Sequence, residues 1–177
     1  MTMLAYLFVL FAVVFRLLVQ ASALNFAPVA ASLLFFGSRM PRRQAWIPVA
    51  ALMASDVWLT TQVYGYPLRA DQIVTWAWYL AIVLLGSLLQ GRANVLRIAG
   101  ASLAASVSFF LVSNFVVWLA WEMYPRTLHG LVACYTAALP FFRNTAVSDL
   151  LFTAAFFAIP AAVEALKAKA ARNTLSA

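Results

Sequence analysis

Runs of about 20 nearly uninterrupted apolar residues recur along the chain, and they constrain it more than any motif does. The first, L-A-Y-L-F-V-L-F-A-V-V-F-R-L-L-V, occupies Leu4 to Val19. A helix needs about 20 such residues to cross ~30 Å of hydrocarbon. Hydrophobic residues make up 66% of the 177 and charged residues only 10%. Soluble domains average roughly 45–50% and about 25%. The expectation is an all-α, polytopic membrane helix bundle of about six transmembrane helices, a single integral domain over 1–177. That length leaves no room for a soluble enzyme domain.

Spans are expected at about 3–20, 27–37, 45–63, 72–90, 98–121 and 146–166. The A-S-A at Ala21–Ala23 imitates a signal-peptidase site. No positive charge precedes the first apolar run, however, so a retained span is expected. Pro28 suits the first turn of a helix, where its missing N–H costs nothing. Only about ten apolar residues follow it, so this helix crosses obliquely or stops part-way. Ala50-x-x-x-Ala54, Ala101-x-x-x-Ala105 and Ser102-x-x-x-Ser106 are spacings that let helices approach closely. Residues 122–145 hold the only His and the only Cys, with Arg126, Arg143, Pro125 and Pro140. So interrupted a stretch is expected to form a lid over the outer mouth of the bundle.

Charge orients the bundle. With both termini inside, eight Lys and Arg fall on the cytoplasmic side, against Arg69, Arg126 and Arg143 outside and Arg16 within a span. Positive charge gathers on the cytoplasmic ends of membrane helices. The same rule accounts for the net charge of +7, so nucleic acid is not an expected partner and the lipid bilayer is.

Ten of the twelve Trp and Tyr residues map to the outer half, Trp58, Trp76, Trp118, Tyr124 and Tyr135 among them. An interfacial belt would enrich both ends, so some of these rings are expected to line a cavity. Two carboxylates, Asp56 and Asp149, sit within spans, where a charge usually faces the bundle or a wet cavity. Asp149 falls in the expected first turn of the last span, where the helix dipole favours an acid. Asp56 has no such role and is the better candidate for a ligand contact or for an internal partner of Arg16, Arg126 or Arg143. Arg16 either snorkels to the nearby interface or pairs with Asp56 or Asp149. Arg126 and Arg143, beside aromatics, suit an anionic group or lipid phosphates. The candidate substrate-binding set is Asn25, Asp56, Trp58, Trp76, Trp118, Tyr124, Arg126, Cys134, Tyr135, Arg143, Asn144 and Asp149. His129 and Cys134 are five apart and have no second His or Cys, so no metal site is expected. With one His and five acids, no nucleophile–base constellation forms and catalysis is not expected.

N-F-A-P-V-A-A at Asn25, S-D at Ser55, Y-P-R-T at Tyr124, C-Y-T-A-A-L-P-F-F-R-N-T at Cys134 and S-D-L at Ser148 together resemble a bacterial integral-membrane family of unknown function. That family looks related to the S components of energy-coupling-factor vitamin transporters, and the match runs along nearly the whole chain. The resemblance implies an S-component-like six-helix bundle in the cell inner membrane. Such a protein would capture a vitamin or related small micronutrient from the outer side and deliver it to an energising module. Helix one lacks the A-x-x-x-A spacing that S components use to dock onto that module. Some cobalamin-binding relatives ligate cobalt through a cysteine, and Cys134 is the residue the resemblance offers for that role; no other cofactor is implied. The alternative expectation is a structural or assembly subunit of a larger membrane complex, without a ligand.

Overall fold

Proline and glycine punctuate the helices where the backbone demands it. The computed structural model describes residues 2–19 and 26–175, with side chains through 169. Six α-helices and no strand occur among the described residues: α1 (Thr2–Val19), α2 (Val29–Arg39), α3 (Trp46–Trp58), α4 (Gln72–Ser87), α5 (Val95–Ala120) and α6 (Leu128–Leu175). Pro28 precedes α2, and its carbonyl accepts the first helical bond from Ser32 N at 3.0 Å. Met40, forced out of the helical region ahead of Pro41, ends α2 in extended conformation. A five-residue π-helical turn, Leu59–Val63, continues α3. Asn94 caps α5 by accepting from Arg97 N at 2.9 Å. Thr127 does the same for α6, its Oγ1 accepting from Gly130 N at 3.2 Å.

Side-chain contacts fix the directions. Tyr6 meets Gln44 at one end and Arg16 meets Ser55 at the other, so α1 and α3 run parallel. Gln90 donates to the carbonyls of Gly37 and Met40, which makes α2 and α4 parallel. Tyr135 bonds Leu111 and Ser106 bonds Asp149, so α5 and α6 are antiparallel. The helices therefore alternate. The upper end carries the connections after α1, α3 and α5; the lower end carries the others and the C-terminal part of α6.

At the centre stands α2, with every residue from Ala30 to Ser38 buried. It packs on α1, α4, α5 and α6. Its 11 residues span about 16 Å at 1.5 Å each, roughly half of ~30 Å of hydrocarbon, as the short apolar run predicts. Two glycines set its approach to α4. A β-carbon on Gly37 would be driven into the Val83 carbonyl, and one on Gly86 into the Leu34 carbonyl. The two backbones touch across this seam. On the other flank, Phe8 stacks on Phe156 at 4.0 Å, and Phe35 meets Phe157 edge-on at 5.2 Å. These rings join α1, α2 and α6.

Three helices, α1, α5 and α6, are long and apolar enough to cross a membrane. Large apolar side chains also face outward, including Leu10, Leu103, Leu111 and Leu151.

One expected boundary differs. Residues 122–145, read as a separate lid, are helical from Leu128 onward and continuous with the last span. Pro140 lies inside this helix, as does Pro160. A membrane helix tolerates proline where neighbours and local adjustment satisfy the freed carbonyl. The 48 residues of α6 extend about 72 Å. The first half of α6 pairs with the upper half of α5, and the second half completes the bundle.

Candidate functional site

Two polar nodes face each other near the N-terminal end of α2. The first joins α1, α3 and α4. Arg16 lies in the last turn of α1 and forms a buried ion pair with Asp56 of α3. Its other Nη reaches Ser55 Oγ and Tyr79 Oη, each at 3.3 Å. Asp56 also accepts from Tyr79 Oη at 3.2 Å and from Trp76 Nε1 at 3.1 Å. The expected snorkelling of Arg16 does not occur, because a buried carboxylate sits within its reach. With three donors on its two oxygens, Asp56 is satisfied, and the node is electrically neutral.

The second node joins α5 and α6. Asp149 is buried and accepts one hydrogen bond, from Ser106 Oγ at 2.7 Å. No cation lies within ion-pair distance of it among the described residues. Next to it, Ser148 Oγ donates to the Ala27 carbonyl at 3.1 Å, tying α6 to the approach to α2. The dipole role expected for Asp149 disappears, since α6 begins at Leu128 and Asp149 lies in its interior. The ranking of the two carboxylates therefore reverses. Asp56 is occupied by its neighbours, and Asp149 is the acid without a counter-charge.

Between the nodes lies a cavity of about 140 Å³. Arg16, Tyr79 and Trp78 form one wall, Phe109, Thr145 and Asp149 the other, and Ala30 at the head of α2 the floor. Its ionisable lining is Arg16, neutralised by Asp56, and Asp149, which has no counter-charge within ion-pair distance among the described residues. A cationic or hydrogen-bond-donating group is the complement. Drug-sized ligands fill about 300–1,000 Å³, so this space suits a smaller solute.

The other candidate residues are scattered. Asn25 lies outside the described residues. Trp58 is 57% exposed and faces outward, and Tyr64 and Tyr66 are also exposed, so part of the upper aromatic set meets the surroundings. Trp118 Nε1 donates to the Pro125 carbonyl at 3.0 Å and pins the α5–α6 turn, beside half-buried Tyr124. Arg126, Arg143 and His129 are exposed. Tyr135 Oη bonds the Leu111 carbonyl at 2.7 Å, and half-buried Asn144 lies in the first half of α6. The Cys134 thiol is buried in the α5–α6 seam and directed at the Asn114 carbonyl at 3.5 Å, outside the cavity lining. No group of three or more His, Cys, Asp or Glu suited to a metal occurs among the described residues. Sequence reasoning missed Ser106 and the opposition of Tyr79 to Asp149. The signal was there in Ser102-x-x-x-Ser106, read only as a packing face.

Fold and site define an all-helical protein with a small cavity between its helices, into which a buried carboxyl faces. Residues 1–172 match the model described as a family of unknown function (DUF6580), and the chain belongs to that family. No curated protein and no solved structure matches it.

Proposed function

We propose that the protein is a multi-pass membrane transport protein whose substrate-binding site is the cavity between Tyr79 and Asp149. The observation that carries this reading is the Asp149 carboxyl, buried with one hydrogen bond and with no cation within ion-pair distance among the described residues. An ionisable group inside a membrane helix is costly and is normally kept for a ligand or a relay. The solute is a small organic micronutrient with a cationic or strongly donating group that meets Asp149, while aromatic Trp78 and Phe109 cover its apolar part.

The S-component likeness belongs to this proposal. The alternating bundle with its basic ends together supports both termini on the cytoplasmic side of the cell membrane, with capture from the upper end. In α1 the small residues Ala5 and Ala12 are buried within the bundle, so they present no docking face. The protein on this reading works without the energising module, or meets it through another helix.

The test is a thermal-shift screen of the detergent-purified protein against vitamins and small organic cations. A compound that stabilises the wild type but not Asp149→Asn supports the proposal. Equal stabilisation of both removes Asp149 from the site. A flat response, with a co-purifying membrane partner, favours a structural subunit.

A further inference from the structure

A second opening lies away from this cavity, at the lower end between α4 and α5. It measures about 350 Å³ and is walled by Leu85, Leu88 and Leu89 on one side and by Gly100, Ala101 and Ala104 on the other. Arg92 and Arg97 stand in its lining. Both are exposed, and neither has an acidic partner among the described residues. Arg97 Nη1 donates to the Arg92 backbone carbonyl at 3.2 Å, which holds the Arg97 guanidinium over the α4–α5 turn. The groove floor is open: a β-carbon on Gly100 would meet nothing within 4 Å.

We propose that this groove binds an anionic phospholipid, with its phosphate on Arg92 and Arg97 and an acyl chain along Gly100 and Ala104. Two like charges without a counter-ion call for an anion, and basic pockets at the end of a membrane bundle take acidic headgroups. The apolar walls favour an amphiphile over a free phosphate, which would leave Leu85, Leu88 and Ala104 uncovered. Beside the groove, Val95 and Leu96 are 84% and 83% exposed at the start of α5. Side chains that apolar, next to two arginines, match the boundary between headgroups and acyl chains.

The experiment counts lipid retained by the purified protein in native mass spectrometry, with phosphatidylglycerol against phosphatidylcholine. At about a fivefold gain for each basic residue, wild type should prefer phosphatidylglycerol roughly twenty-five-fold. Arg92→Gln and Arg97→Gln should each remove about fivefold, and the pair should remove the preference. Gly100→Leu, which fills the groove without touching charge, should lower retention of both lipids. Lys167→Gln with Lys169→Gln, on the tail at the same end, should leave retention unchanged. Unchanged retention in both the arginine pair and Gly100→Leu overturns the proposal. So does displacement by inorganic phosphate at the same headgroup concentration, which would assign the site to a free oxyanion. Each variant is first matched to wild type in thermal unfolding in phosphatidylcholine; should Gly100→Leu not fold, the arginine pair decides.

Discussion

Arg16 and Asp56 are 40 positions apart in sequence and form a direct ion pair within the bundle, joining the ends of α1 and α3. Neither has another opposite charge within ion-pair distance among the described residues. Removing one partner strands a charge in a low-dielectric interior, which typically costs about 3–5 kcal/mol. Replacing both by apolar residues of similar size is often close to neutral. Arg16→Met and Asp56→Leu should each lower the denaturation midpoint sharply, and the double variant should recover most of the loss. A double variant as unstable as the singles would mean that the bonds to Tyr79 and Trp76 matter more than the charges.

Asp149 should behave in the opposite way. Asn at this position keeps the shape and can still accept from Ser106, while removing a carboxyl whose ionised form is disfavoured by burial without a counter-charge. Asp149→Asn is expected to hold or raise the unfolding midpoint and to abolish stabilisation by the solute. Retained solute binding in a well-folded Asp149→Asn protein would contradict the role given to this carboxylate.

The α2–α4 seam predicts a contrast among glycines. Gly37→Ala and Gly86→Ala press a methyl group into a carbonyl of the facing helix, and overpacking of this kind costs ~1–3 kcal/mol. Gly100→Ala meets open space and should stabilise α5 by about 0.5–1 kcal/mol through helix propensity. Thermal unfolding of the three variants in one detergent checks the order.

At the start of α5, Asn94→Ala removes the acceptor for Arg97 N. The expected loss is about 1 kcal/mol, with Asn94→Asp or Asn94→Ser close to wild type. Amide hydrogen exchange over residues 95–98 should rise in the alanine variant alone.

Much of this fold is written locally. The short run after Pro28 anticipates a helix that stops part-way, whereas the sequence favours snorkelling for Arg16 and holds its pairing with Asp56 only as the alternative. What escapes local reading is how far a helix continues and what its far side meets. Pro140, Arg143 and His129 read as interruptions, yet the two charged-type residues sit on the exposed side of α6 and the proline is carried within it. Because α6 starts 18 residues before the expected position, Asp149 lost its dipole role and changed meaning without changing place. Its contact with Ser106 depends on the antiparallel register of α5 and α6, 43 residues apart in sequence. Trp58 illustrates the same gap: composition places the ring near the upper end, but only helical phase turns it outward.

The fully enclosed α2 has a mechanical consequence. The cavity rests on its first turn, and the remaining turns fill the space beneath with Leu33, Leu34, Phe35 and Phe36. The molecule is thus a pit with a solid stopper and not a pore. On the proposed reading a solute leaves downward only by displacing that stopper, which the close contacts at Gly37 of α2 and Gly86 of α4 hold against α4.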